Sequence, residues 1–483
     1  MNGRDPDRQP LLGRRYHFSG VGGSGMAPLA ALAAALGATV TGSDRNLDRG
    51  VTLHVFESLR RAGVRLTPQD GSGVHEGLTA LIHSTAVERT NPEFRRAEAL
   101  EIPRIRRGSF LASLVSAKRA VAVAGTSGKS TVTAMIAHIF VAAGRDPWFL
   151  GGGAALGLPG ATTPGGLRVG GSDWFVVETD ESDGSVAECS AAVAVLTNLS
   201  RDHKEIEVTA RHFEALLEKT RERVVVNVGD PVLERVTIPT GLPALRVAVE
   251  GVRTWAPPDL LAESIRLAPD GVSFRIGGAP ARVPFPGRMT VENAAIAIAA
   301  SVTADIAIVD AAMSLATFGG VRRRLERIGA AGGVDVFDDF AHNPVKISAA
   351  LAALRPAGRF WVYYQPHGYG PTRFFADQLV DTFASGLGPE DRLLLAPIYD
   401  AGGTADRSIR SEDLAARLVA RGLAVTVAPT REDALALVTE GARAGDRVVV
   451  MGARDDTLSV FARTLFAALV ARADPAPARD KPR

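Results

Sequence analysis

At 483 residues, with 46% hydrophobic and 22% charged side chains, the chain has the make-up of a soluble globular protein and the length of about three domains. The net charge of +2 argues neither for nor against an acidic partner, but no dense Lys/Arg run interleaved with aromatics points to nucleic acid, so no nucleic-acid partner is expected; the single Cys189 excludes an internal disulfide framework and fits a reducing compartment. The opening MNGRDPDRQPLLGRR has no apolar signal segment and Leu29–Leu36 is too short to cross a membrane, so the sequence reads as cytoplasmic with no membrane insertion.

In chain order, residues 1–14 and 473–483 read as disordered tails rich in Pro, Asp and Arg. Tyr16–Ser19 reads as a strand. Gly20, Gly22, Gly23, Ser24 and Gly25 follow it, then an Ala- and Leu-rich helix over Met26–Leu36 and a second strand, Thr39–Gly42, with Asp44 at its end. This is a G-x-G-x-x-G match in strand–turn–helix context. It points to a phosphate-bearing ligand at a helix N-terminus more firmly than to NAD, and a close-packed turn with no ligand is the plain alternative. Leu81–Ser84 reads as a strand, Asn91–Leu100 as a helix, and the region closes near Ala117.

The second region opens on VAVAGTSGKSTVT, residues 121–133. Val121–Ala124 reads as a buried strand; Gly125, Thr126, Ser127, Gly128, Lys129, Ser130 and Thr131 form a tight turn and the start of a helix. Backbone amides and the helix dipole favour an anion there, Lys129 adds a full positive charge, and the Ser130 hydroxyl suits a magnesium ion. The generic pattern wants Gly at Val123. Gly151–Gly171 reads as loop. Trp174–Val177 is a continuous apolar run ending at Glu178, and Ala192–Leu196 another, leading to Asn198 and His203. Strand ends in an open α/β sheet share a crevice, so Glu178, Asn198 and His203 are expected beside Lys129. Asp180, Glu181 and Asp183 read as a solvated acidic loop. Val224–Val228 is a further strand, Pro239–Pro286 a small antiparallel excursion, and Thr290–Ala300 a helix carrying Asn293. From about Phe318 the strands Val334–Phe337, Arg359–Tyr364, Arg392–Ala396, Ala424–Val427 and Arg447–Met451 alternate with helical stretches, which predicts another doubly wound sheet.

These motifs together resemble the Mur ligases from about Tyr16 to Leu418. HFSGVGGSGM, Asn91-Pro92-Glu93, the shortened loop GTSGKS (in which Val123 need not be Gly), ETDESDGS, TNLSRDH, FGGVRRRLE, DDFAHNP and YQPH fall in the family order. Within the family the opening motif is most similar to members that attach L-alanine to UDP-N-acetylmuramate. The resemblance implies an α/β chain of three domains: an N-terminal Rossmann-like domain at 15–117, a central P-loop ATPase-type domain with a mostly parallel sheet at 118–317, and a C-terminal Rossmann-like domain at 318–472. It implies an ATP-dependent ligase for peptidoglycan precursors, in which a carboxylate attacks ATP to give an acyl phosphate and an amine displaces phosphate.

Residue by residue, the resemblance makes Lys129, Glu178 and His203 catalytic, with Ser130, Glu178 and His203 on Mg2+. Gly125–Thr131, Asn293, Arg324, Asp339 and His342 would hold ATP. Gly22, Gly23, Ser24, Gly25, Asp44, Asn198, His367 and Arg373 would hold the UDP substrate. A monomer or weak homodimer handling small molecules alone is expected. Plainer readings stay beside these: Arg322–Arg324 as a solvated basic turn, and Asp338 and Asp339 as acids capping the next helix. The chain departs from the family at Ser127, Thr290 and Phe340, and most of all in HGYGPTR, where Gly368 and Pro371 stand in arginine positions and only Arg373 remains; Arg407 or Arg410 could compensate. A divergent ligase taking another amino acid, a peptide or another acid is therefore the alternative. An NAD-dependent oxidoreductase and a non-catalytic nucleotide-binding regulator are more distant ones.

Overall fold

The computed structural model describes residues 10–50, 54–85, 87–162, 165–201, 205–400 and 406–473. His203 and most of both tails lie outside them. The chain is α/β, with three sheets among the described residues, and divides into two compact units. One is Met1–Arg266, Ser273–Pro284 and Thr290–Gly320; the other is Leu267–Val272, Phe285–Met289 and Val321–Arg483.

The first unit holds a five-stranded parallel sheet in the order Arg65–Thr67, Thr39–Ser43, Arg15–Ser19, Ala80–His83, Arg104–Arg106. The strand order reverses at Arg15–Ser19, so Gly20–Gly25 lie at the switch point where doubly wound sheets bind ligands. The helix after them, Met26–Ala35, is buried at every position from Met26 to Ala33, and so it is apolar all round instead of striped.

The same unit carries most of an eleven-stranded sheet. Its parallel centre runs Arg223–Asn227, Val193–Leu196, Arg119–Ala124, Trp174–Glu178, Trp148–Leu150. These are the unbroken apolar runs expected of strands covered on both faces, and Val121, Val123, Val176 and Val195 are fully buried. Gly151–Gly171 is not all loop: Ala161–Thr162 and Leu167–Arg168 pair antiparallel at one edge. At the other edge the expected antiparallel excursion is narrower than its Pro/Gly pattern suggests. Ala244–Val249 and Leu260–Ala268 continue the sheet in parallel, and only Gly271–Ile276 and Ala279–Val283, joined through two-residue turns, fold back.

In the second unit a six-stranded sheet runs Glu326–Ala331, Val334–Asp339, Arg447–Gly452, Phe360–Gln365, Arg392–Leu395, Ala424–Val427. All pairs whose partners are Val334–Asp339 onward are parallel, while Glu326–Ala331, not foreseen, pairs antiparallel at the edge. Asp339 pairs with Met451 and Gln365 with Gly452, which brings three strand ends together.

Candidate active site

The turn after Arg119–Ala124 is held by the turn after Val193–Leu196. Asn198 Oδ1 accepts from the Ser127 amide (2.8 Å) and the Thr126 hydroxyl (2.8 Å), and its Nδ2 donates to the Ser127 carbonyl at 2.9 Å. Thr197 Oγ1 donates to the same carbonyl at 2.8 Å. Asn198, expected at the UDP substrate, is thus engaged with the phosphate loop. Gly128 caps the helix Lys129–Ala142 at φ +79°, and a β-carbon on it would lie 2.5 Å from Asn293 Oδ1, so the turn needs glycine on both counts. No side chain caps this helix and its first turn carries no acid, which leaves its leading amides for an anion.

Lys129 Nζ folds back to the Gly125 carbonyl at 2.6 Å and straddles the Glu181 carboxylate, 3.0 Å from Oε1 and 2.8 Å from Oε2. Burial penalises the ammonium, yet Glu181, Glu178 and Asp180 together outweigh that and hold its pKa above the usual lysine value. The acidic loop is therefore not solvated. Glu181 is buried against Lys129, and Asp180 and Asp183 receive Arg107 Nη2 at 2.8 and 2.9 Å. Arg107 Nη1 in turn lies 2.8 Å from where a β-carbon on Gly25 would stand, which links the loop to the first glycine turn. Nothing in the run ETDESD marks Glu181 as the lysine's partner beyond its nearness to Glu178.

Glu178 closes its strand in register with Val123, and its Oε2 accepts the Gly152 amide at 2.6 Å. Ser130 is buried in the first helical turn and Thr131 half-buried beside it. A hydroxyl and a carboxylate are hard oxygen donors of the kind Mg2+ takes. Among the described residues no cluster of three or more His, Cys, Asp or Glu could hold a metal.

At the first glycine turn the Gly22 amide donates to Asp44 Oδ2 at 3.0 Å, and Asp44 Oδ1 caps the helix Arg45–Asp48 through Asn46 N at 2.9 Å. Beneath it sits a network the motif search missed. His17 Nε2 meets Glu93 Oε1 at 2.8 Å, its Nδ1 meets Thr41 Oγ1 at 2.7 Å, and the Ser19 hydroxyl donates to Glu93 Oε2, with His17 and Glu93 both fully buried. Gly23, Ser24 and Gly25 lie on the open side of the turn.

In the second unit Asp339 accepts the Leu325 amide at 2.6 Å and the Ala341 amide at 2.7 Å; burial pushes its carboxyl above the usual range, the amides opposing. It does not cap the next helix, because Asn343 does. Arg324 is half-buried with its guanidinium 4.8 Å from the Phe340 ring centre. Arg323 is not solvated: it is buried, 3.3 Å from Asp338, and donates to the Gly452 carbonyl at 2.7 Å. His342 and His367 are both buried with ring centres 4.7 Å apart. Arg373 is exposed and pairs with Asp406 at 2.9 Å.

Three family profiles match in succession: "Mur ligase family, catalytic domain" over 15–119, "Mur ligase middle domain" over 123–301, and "Mur ligase, glutamate ligase domain" over 323–454. The UDP-N-acetylmuramate–L-alanine ligase of Acidiphilium cryptum is 34% identical over 464 residues, 92% of this chain and 93% of that protein. The enzyme of the same name from Nitrobacter winogradskyi is 34% identical over 474 residues, 92% and 96% of the two chains. Among solved structures, the UDP-N-acetylmuramate–alanine ligase of Thermotoga maritima superposes with a TM-score of 0.75 at 22% identity over 94% of this chain and 98% of its own. A murein peptide ligase of Psychrobacter arcticus gives 0.69 at 24% identity, covering 95% and 99%. At those identities the two structures bear on the fold alone. No helix among the described residues is long and apolar enough to cross a membrane.

Proposed function

The chain belongs to the Mur ligase family, and from that premise we propose that it joins L-alanine to UDP-N-acetylmuramate at the expense of ATP, in peptidoglycan precursor synthesis in the cytoplasm. The observation that carries the reading is the pairing of Val123 with Glu178, which sets a strand-end carboxylate beside the glycine turn that presents Lys129. Lys129 would hold the β- and γ-phosphates while the leading amides of its helix take the remaining charge; there is no covalent enzyme intermediate, so the protein's contribution is positioning and charge stabilisation. Asn293, Arg324, Asp339 and His342 would hold the rest of the nucleotide. The turn Gly22–Gly25 with Asp44 would take the uridine diphosphate, and His367 and Arg373 the reacting end.

Mg2+ would be held by Ser130 and Glu178, and by His203 from the resemblance; when bound it neutralises charge on the phosphate oxygens. The domain boundaries at 117/118 and 317/318, and a monomer or weak homodimer, belong to the same proposal. The family assignment sets aside the oxidoreductase reading. Gly368 and Pro371 favour one second reading, a sister ligase with another amino acid, peptide or acid. One assay decides: phosphate release from ATP and Mg2+ across UDP-sugar acids and amino acids. Release that requires UDP-N-acetylmuramate with L-alanine supports the first reading, and release with another pair selects the second.

A further inference from the structure

The loss of a guanidinium at Gly368 raises the question of what replaces it. Arg407 lies 2.8 Å from Asp400, Arg373 is paired to Asp406, and Arg410 is exposed with Asp413 3.9 Å away, so the cations nearest in sequence already face carboxylates. Another arrives from a different strand. Arg454 follows the end of Arg447–Gly452, and its Nη1 stands 3.3 Å from where a β-carbon on Gly368 would be. It is exposed, and among the described residues its guanidinium makes no hydrogen bond or ion pair. Its backbone is left-handed, φ +66°, a conformation natural to glycine and costly to a residue with a side chain. Gly368 itself sits at φ +143°. An arginine is thus kept where glycine would be unstrained, leaning over a glycine where the resemblance expects arginine. Backbone strain of this kind points to function when a side chain is held to a purpose. The place is also of the kind at which open α/β sheets take ligands: Gln365 and Gly452 are paired at the carboxyl ends of adjoining parallel strands, with the buried His342 and His367 alongside.

We propose that Arg454 supplies the guanidinium missing at Gly368 and binds a substrate carboxylate, that of the incoming amino acid or of the sugar acid. Its planar fork can meet both oxygens of a carboxylate, which a lysine cannot do. This rests on the ligase reading above.

The test is steady-state kinetics on the full chain with Arg454→Gly and Arg454→Lys, alongside thermal melts. Arg454→Gly relieves the left-handed strain, so its melting temperature should stay level or rise. The KM of one carboxylate substrate should increase about ten- to hundredfold, the loss expected for one charged hydrogen-bonding group, while the KM for ATP holds. The substrate whose KM moves identifies the carboxylate, and Arg454→Lys should recover part of the loss. Unchanged KM values for both carboxylate substrates, or a change for ATP alone, would overturn the assignment. If the unaltered protein releases no phosphate with any pair, the ligase reading fails and takes this role with it; an active parent with an indifferent Arg454→Gly removes only the role of Arg454.

Discussion

The chain builds the strand–glycine turn–helix unit at two switch points, and the two copies are braced in opposite ways. Under Gly20–Gly25 the brace is ionisable and sealed from water: His17, Glu93, Ser19 and Thr41 interlock below the turn, and Asp44 takes the Gly22 amide from the side. The helix there starts without a charge in its first turn. Around Gly125–Gly128 the brace is neutral, made of Asn198, Thr126 and Thr197, and the charge stands on the loop itself as Lys129. A sealed, interlocked brace makes a rigid seat for a group that binds and stays put. A neutral brace with a cation on top makes a site where charge can be met as it develops. Disturbing the first turn should therefore cost folding and substrate affinity, and disturbing the second should cost turnover.

The largest effect is expected at Lys129→Ala, a fall in turnover on the order of a thousandfold or more, the scale of losing a phosphate-clamping cation. Native circular dichroism should persist, because burial already pushes the Glu181 carboxyl upward and it can take a proton when its partner goes. Sustained amide formation would remove the phosphate role. Next comes Glu93→Ala. It strands His17 Nε2 and the Ser19 hydroxyl in a dry interior and should cost about 3–5 kcal/mol in urea unfolding, with a raised KM for the UDP substrate and an unchanged one for ATP. Stability within about 0.5 kcal/mol of the parent would erase the contrast between the two braces.

Much of this contrast can be read along the chain, and the unread part has physical causes. Runs such as Val121–Ala124 and Val193–Leu196 announce themselves because both faces of a parallel strand are buried, and glycines after them mark the turns. Ala161–Thr162 and Leu167–Arg168 are too short for any period, and Glu326–Ala331 is an edge strand whose one large apolar residue is Ile328, with a register shift between Arg327 and Gly329. Among the site residues, Lys129 and Glu178 follow from motif chemistry. Glu181 does not, because a run of acids looks solvated until one of them is folded onto a lysine. Arg323 hides likewise in a row of three arginines; its left-handed φ of +59° accompanies the burial of this residue between exposed Arg322 and half-buried Arg324.

Asn198→Ala tests the neutral brace directly. It removes bonds to Ser127 and Thr126 while leaving Lys129 in place, so kcat/KM for ATP should drop about ten- to hundredfold with little change in KM for the UDP substrate. A matching rise in both KM values would mean that the two turns act as one unit.

The smallest effect, and the one that refines the comparison most, belongs to Glu181→Gln. In the parent a triphosphate must draw the Lys129 ammonium from a carboxylate that straddles it; in the variant it meets an amide. Nucleotide affinity should rise several-fold, on the scale of about 1 kcal/mol, readable as a lower Kd for a non-hydrolysable ATP analogue. Weaker binding would make Glu181 part of the nucleotide site instead of a resting partner. The sign of the pH effect follows from Lys129. Its folded pKa is raised above the usual 10.5 because Glu181, Glu178 and Asp180 outweigh the opposing effect of burial, so the pair's stabilisation is present at neutral pH and fades as pH climbs through the folded value. Thermal melts of parent and variant should accordingly differ near neutrality and converge only once pH passes the raised folded value, beyond 10.5, since deprotonated Lys129 no longer distinguishes a carboxylate from an amide.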